Sequence, residues 1–334
     1  MTRTPEDFEP VHASDIQLAQ SRISSEIAPT PLQYCPRLSQ ETGYEVYLKR
    51  EDLQDVRSYK IRGALYGMSN LGEEQRAQGI VTASAGNHAQ GVAYACRTMG
   101  IHGKIYVPQP TPKQKRDRIL VHGGDYVELV VTGANFDEAA AAAHDDAAER
   151  GAFFIEPFDA RDTVIGQGTV AAEIIAQLSS LGKALDTVVV PVGGGGLISG
   201  ITSYLADMAP RTAVVGIEPA GAASLSAAFA AGEPVTLESV DPFVDGAAVK
   251  RIGEFPFKIL EANQGRLHWD IVSEGAVCTE QLALYQNEGI IAEPAGALSV
   301  TGLRTLSLQP GSTVVCVICL LYTSDAADDT PCVD

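Results

Sequence analysis

The stretch Val188-Val189-Val190-Pro191-Val192-Gly193-Gly194-Gly195-Gly196-Leu197-Ile198-Ser199-Gly200 decides how this chain is read. Its β-branched opening suits a parallel strand buried on both faces. Four glycines follow, and then a segment that reads as the start of a helix. Backbone free of side chains at a helix N-terminus presents several N–H donors to a phosphate, and the helix dipole assists. A flexible linker is the plainer alternative, but the apolar strand before the glycines and the helix after them argue against it. The dinucleotide fingerprint wants a glycine where Ile198 stands, and a Walker loop needs Lys-Ser/Thr where Ile201-Thr202 follow Gly200. A phosphate is expected at Gly193, Gly194, Gly195 and Gly196 through neither motif.

Outward from this stretch, short apolar runs alternate with longer helical ones, the mark of an α/β protein with mostly parallel sheets. Val214-Val215-Gly216-Ile217 and Thr313 to Ile318 read as further strands of the same series, with a helix from about Val164 to Leu181 before it. An earlier series has strands at Gly79 to Thr82, Lys104 to Val107 and Tyr126 to Val131. Helices are expected from His88 to Met99, from near Pro112, and from Phe136 to Arg150. The segment from Pro31 to Lys49 is expected to pack with the later series. The plan is two intertwined three-layer α/β/α domains with a ligand cleft between them. Residues 1–51 plus 156–318 form the larger domain and residues 52–155 the smaller.

A chain of 334 residues can bury two such cores, and 45% hydrophobic with 20% charged residues lies in the globular range. Its formal charge of −18 leaves no basic stripe for nucleic acid. Small-molecule chemistry is the better expectation. The N-terminus does not read as a secretory signal, and no run approaches the roughly 18 apolar residues of a membrane helix. The six cysteines are scattered, and Cys316 and Cys319 have CxxC spacing without a second pair to complete a zinc site. They read as buried or incidental thiols, with no metal site, in a cytoplasmic protein.

Three further features bear on chemistry. Ser84-Ala85-Gly86-Asn87-His88-Ala89-Gln90-Gly91 lies between a strand and a helix, where small residues let backbone N–H groups approach a carboxylate. The Asn87 amide suits a phenolate-like oxygen there. The same residues also make an ordinary helix cap, and taken alone the two readings are even. His88 could be a base, though a lone histidine in such a loop is more often structural. Lys60, in Ser58-Tyr59-Lys60-Ile61-Arg62-Gly63, would need a depressed pKa for carbonyl chemistry, and nearby Arg62 could supply repulsion. Glu293, in Glu293-Pro294-Ala295-Gly296, is either a cleft carboxylate or an acid at a helix start.

Six segments in order, KREDLQDVRSYKIRGA, TASAGNHAQGVAYA, EPFDARDTVIGQGT, VPVGGGGL, FVDGAAVKRIG and EGIIAEPAGA, resemble the threonine dehydratases (threonine ammonia-lyases), most closely the biosynthetic actinobacterial type. These belong to the tryptophan-synthase-β-like pyridoxal 5′-phosphate enzymes of fold type II. The likeness runs from about Asp15 to Ile318. It implies that Lys60 holds the cofactor as a Schiff base and shuttles the Cα proton, and that Asn87 bonds the cofactor's 3′-oxygen. Gly193 through Leu197 would cradle its phosphate, while Ser84, Ala85, Gly86, Asn87 and His88 would line the substrate-carboxylate loop. The implied reaction is β-elimination of L-threonine to 2-oxobutanoate and ammonia, the committed step of isoleucine biosynthesis, in a cytoplasmic homo-oligomer, dimer or tetramer. A serine dehydratase, another β-eliminating or β-replacing enzyme, or an inactive cofactor-binding fragment are the alternatives. The segments VDGAAVKRIG and EPAGA favour threonine dehydratase.

The chain departs from that family at its end. Relatives run from the last strand into Ser-Gly-Gly-Asn, whose serine meets the pyridine nitrogen. Here Cys319 takes the serine position, and a thiol is the weaker hydrogen-bond partner. Residues 319–334 read as a non-native tail: Cys319 to Asp328 is what a transposon mosaic-end sequencing adaptor encodes. The native chain is expected to continue into the missing turn and a regulatory domain. Glu218-Pro219 matches the start of a divalent-metal site of some relatives, but Ser224 stands where a second acid is expected.

Overall fold

The structure, a computed structural model, describes residues 8–319, so the tail beyond Cys319 lies outside the described residues. In chain order its strands are β1 (Leu32–Tyr34), β2 (Glu45–Arg50), β3 (Ile80–Ala83), β4 (Gly103–Val107), β5 (Val127–Val131) and β6 (Phe153–Phe154). They continue as β7 (Thr187–Pro191), β8 (Ala213–Pro219), β9 (Leu267–Val272) and β10 (Thr313–Ile318). A six-stranded sheet has the order β1-β2-β10-β7-β8-β9, and a four-stranded sheet the order β5-β4-β3-β6. Every pairing is parallel except β1 with β2.

Most of the apolar runs read as strands are buried on both faces. All of β7 and all of β10 are buried, whereas β5 alternates between half-buried and exposed at a sheet edge. Three strands carried no such signal. β1 and β6 have only 3 and 2 residues, and β9 mixes His268, Trp269 and Asp270 into an edge position. The segment from Pro31 to Lys49 joins the later series, because β2 lies beside β10 with Ile318 opposite Arg50. Strands before residue 51 and after residue 186 thus share one sheet, and those between share the other. We take this sorting as the basis for proposing domains at 1–51 plus 156–318 and at 52–155. Cys35, Cys96, Cys316 and Cys319 are free and buried.

Four buried charges join the end of β2 to two helices. Arg62, third residue of the Lys60–Ser69 helix, donates to both oxygens of Glu51 at 2.8 Å. It also donates to Glu173, in the Arg161–Ser180 helix, at 2.6 and 3.0 Å. Lys49 Nζ donates to Glu173 Oε2 at 2.6 Å and to the Thr30 carbonyl at 2.8 Å. Burial acts against the charge on Arg62, but Glu51 and Glu173 outweigh it and raise its pKa. Arg62 is therefore committed away from Lys60 and supplies none of the repulsion expected of it. Replacing one member of a buried charge set leaves its partners uncompensated, at a cost of about 3–5 kcal/mol. Arg62→Met should lower the unfolding free energy by that amount, read as a lower urea midpoint with the slope of the transition unchanged.

Candidate active site

Loops at the C-terminal ends of β2, β3, β6, β7 and β10 converge on a cavity of about 700 Å³. This is where open α/β sheets place ligands. Lys60 enters it from the first residue of its helix, and its Nζ donates to the Pro157 carbonyl at 2.8 Å. Burial lowers its pKa to about 8, against the opposing influence of Cys319 and Glu293. Burial, rather than a neighbouring cation, makes free amine accessible near neutral pH. Tyr59 also lines the cavity, with Lys60 Nζ 5.7 Å from its ring centre.

Ser84, Ala85, Gly86, Asn87 and His88 all line the cavity, where the Asn87–Met99 helix begins. Ser84 Oγ accepts from the Gly86 N–H at 3.2 Å, which shapes the turn. His88 is buried, with Nε2 at 3.1 Å from both Thr82 Oγ1 and the Ile155 carbonyl. Burial first, and then the charge on Lys60, hold its pKa down to about 3. A ring that stays neutral to that point braces β3 and is no base at neutral pH.

Asn87 and Glu293 meet across the cleft. Asn87 Nδ2 donates to Glu293 Oε1 at 2.8 Å, and Cys319 Sγ donates to the same oxygen at 3.2 Å. Asn87 Oδ1 and Glu293 Oε2 are buried without a partner. Burial, then the charge of Asp245, raises the Glu293 pKa to about 7, although the bonds from Cys319 and Asn87 pull it down. Glu293 is thus a cleft carboxylate that also precedes the Pro294–Leu303 helix. Its Glu-Pro-Ala-Gly motif is the sequence signal for this position, but burial is invisible in sequence. Gly296 explains the motif's last residue: a Cβ there would fall 1.8 Å from the Cys319 carbonyl oxygen.

Of the glycine loop, Gly193 lines the cavity, whereas Gly194, Gly195, Gly196 and Leu197 do not. Gly195 has φ of 88° and caps the Gly196–Met208 helix. A Cβ on Gly194 would lie 2.3 Å from the Phe158 ring, so the loop is backbone in close contact with an aromatic side chain. The Gly253 N–H donates to the Gly194 carbonyl at 3.1 Å. At the mouth, Lys115 pairs with Asp245, and Lys250 with Asp137 at 3.3 Å. Glu218 lies elsewhere: its oxygens accept from Leu225 N at 2.6 Å and from Ser226 N and Oγ at 2.9 and 2.6 Å. That carboxylate caps the Ser224–Ala231 helix.

The donor set suits an aromatic aldehyde phosphate. Lys60 offers an amine to the aldehyde and Asn87 an amide to a phenolic oxygen. Gly193, at the cavity wall ahead of the Gly196–Met208 helix, offers backbone to the phosphate. Cys319 offers a neutral thiol, its pKa raised well above the ordinary value by burial and then by Glu293. The partnerless oxygens of Asn87 and Glu293 mark this wall of the cavity as one whose polar groups are not all satisfied within the chain.

Residues 23–319 match the family model described as pyridoxal-phosphate dependent enzyme. The biosynthetic L-threonine dehydratase IlvA of Corynebacterium glutamicum is 71% identical, over 92% of this chain and 71% of its own length. Its counterpart in Mycobacterium leprae is 58% identical, over 95% of this chain and 72% of its own. The solved structure of the processed form of threonine deaminase isoform 2 from Solanum lycopersicum has a TM-score of 0.85 and 33% identity. That match covers 97% of this chain and 96% of that one.

Two outcomes follow from the geometry. Gly296→Ala should displace Cys319 and destabilise the chain by about 1–3 kcal/mol, the usual cost of overpacking, read from denaturant midpoints. The His88 pKa is below its unfolded value, so its contribution to stability is present above pH 6.5 and falls as pH drops toward about 3. The slope is at most about 1.4 kcal/mol per pH unit. His88→Gln should flatten that part of the acid-unfolding curve.

Proposed function

Since the chain belongs to the pyridoxal-phosphate-dependent enzymes, we propose that it converts L-threonine to 2-oxobutanoate and ammonia by β-elimination, the committed step of isoleucine biosynthesis. The observation that carries this reading is Lys60, a half-buried amine brought to about pKa 8 in the cavity shared by Asn87, Glu293 and Cys319. The high identity to biosynthetic threonine dehydratases supports the substrate.

Lys60 is the residue assigned to hold the cofactor, with Asn87 at its phenolic oxygen, Gly193 through Leu197 at its phosphate and Cys319 at its ring nitrogen. When bound, the cofactor supplies an electron-withdrawing ring that stabilises negative charge at the substrate Cα. The backbone from Ser84 to His88, at a helix N-terminus, receives the substrate carboxylate. Lys60 Nζ, released to the free amine, takes the proton from Cα. Its bond to the Pro157 carbonyl fixes the direction from which it acts. The β-hydroxyl departs as water, and hydrolysis of the released enamine gives 2-oxobutanoate and ammonia. Serine would yield pyruvate in the same way.

A second reading, a chain that holds the cofactor without turning over, is favoured by one observation. The Cys319 thiol donates to Glu293, which leaves the ring nitrogen a weak partner. Among the described residues no helix is long and apolar enough to cross a membrane. The same proposal puts the protein in the cytoplasm as a homo-oligomer, dimer or tetramer, which analytical ultracentrifugation measures.

The purified chain, loaded with pyridoxal phosphate, should show a visible cofactor band and form 2-oxobutanoate from L-threonine. Lys60→Ala should lose the band and at least about 10³-fold in rate. A band without product selects the second reading. Absence of a band after added cofactor overturns both.

A further inference from the structure

Glu293 has no counterpart in the chemistry assigned above, yet it occupies the wall of the same cavity. Its Oε1 accepts from two neutral donors, Asn87 Nδ2 and Cys319 Sγ, and its buried Oε2 accepts from none. The charged and titratable groups facing it come from several elements. Lys60 and Tyr59 stand at the start of the Lys60–Ser69 helix, and Lys115 on the Lys113–Gly123 helix. Asp245 lies in the turn Pro242–Ala247, and Cys319 follows β10. Lys115 is paired with Asp245, and Lys60 is directed to the Pro157 carbonyl. The Glu293 charge is therefore supported chiefly by one amide and one thiol.

Asn87 is also the amide assigned to the phenolic oxygen of the cofactor. An amide nitrogen carries two hydrogens. If the cofactor takes the hydrogen now given to Glu293, the carboxylate loses a donor. If it takes the other, an anionic oxygen comes to share the nitrogen that Glu293 already uses. Either way a buried negative charge becomes harder to keep, and protonation is the relief open to it. We infer that Glu293 is a proton-carrying member of the cofactor site, taking up a proton when the cofactor engages Asn87. This rests on reading the cavity as a pyridoxal-phosphate site.

The sign is fixed by linkage. Occupation of the site raises the Glu293 pKa above its free value of about 7, so binding is tightest below that pH and weakens as pH rises through it. Uptake is at most about one-tenth of a proton per site at pH 6 and at most about nine-tenths at pH 8. Between the free pKa and the raised one the affinity falls by up to about tenfold per pH unit more steeply than without Glu293.

The probe is pyridoxine 5′-phosphate, which has the phenolic oxygen and phosphate but no aldehyde, so Lys60 forms no covalent bond to it. Calorimetric titration into the full chain, freed of cofactor, at pH 6 and pH 8 in two buffers of different ionisation enthalpy measures protons taken up. The expected result is proton uptake that is larger at pH 8 than at pH 6 for the parent chain, and the loss of that difference in Glu293→Gln. Asn87→Ala, which removes the amide donor that the cofactor would take from Glu293, should show less uptake than the parent. Equal uptake in the parent and in either folded variant, or none in the parent, overturns the inference while leaving the cofactor reading intact. Failure of the parent chain to bind the probe overturns the cofactor reading itself.

Discussion

Lys49, Glu51, Arg62 and Glu173 form a buried set of two cations and two anions, and the placement of Lys60 depends on it. Such a set adds little net stability compared with well-packed apolar residues, but it tolerates no missing member. It therefore acts as a constraint on geometry. Lys49 and Glu51 flank the end of β2, and Arg62 is two residues beyond Lys60. Glu173 belongs to the long helix that packs against the Lys60 helix. The four charges can all be paired only when these three elements meet in one arrangement. Because β2 is in register with β10, the same arrangement sets where Cys319 emerges relative to Lys60.

The cavity that results uses one physical effect in two directions. Burial penalises charge, so it lowers Lys60 to about 8 and raises Glu293 to about 7. An amine and a carboxyl group that would ordinarily differ by about 6 pKa units are brought close to each other and to neutral pH. Groups in that condition can gain and lose protons during binding and turnover. His88, more deeply buried beside Lys60, is pushed past usefulness as a base and serves as a brace between β3 and the Ile155 carbonyl.

Glycine has a separate part at the two ends of the site. Gly194 lies under the Phe158 ring and Gly296 under the Cys319 backbone, each where a Cβ would collide. Phe158 follows Pro157, whose carbonyl receives Lys60. The short connection between β6 and the Arg161–Ser180 helix thus touches both the amine and the glycine loop. Asp159, one residue further on, accepts from the N–H groups of Glu254 and Phe255 and so fixes the loop that reaches Gly194.

The sequence by itself determined the α/β class, the strands buried on both faces, and the glycine loop between a strand and a helix. Those features are local: β-branched runs, glycine spacing and helix starts follow from a few neighbouring residues. The short or edge strands β1, β6 and β9 escaped it because they have little apolar surface to bury. Tertiary structure decided what depends on distance between remote segments. It turned Arg62 from a neighbour of Lys60 into a partner of Glu51 and Glu173, and brought Glu293 from a helix start to Asn87, 206 residues away. It also set the charge state of the groups in the cavity, since desolvation is a property of the assembled surroundings and not of the residue.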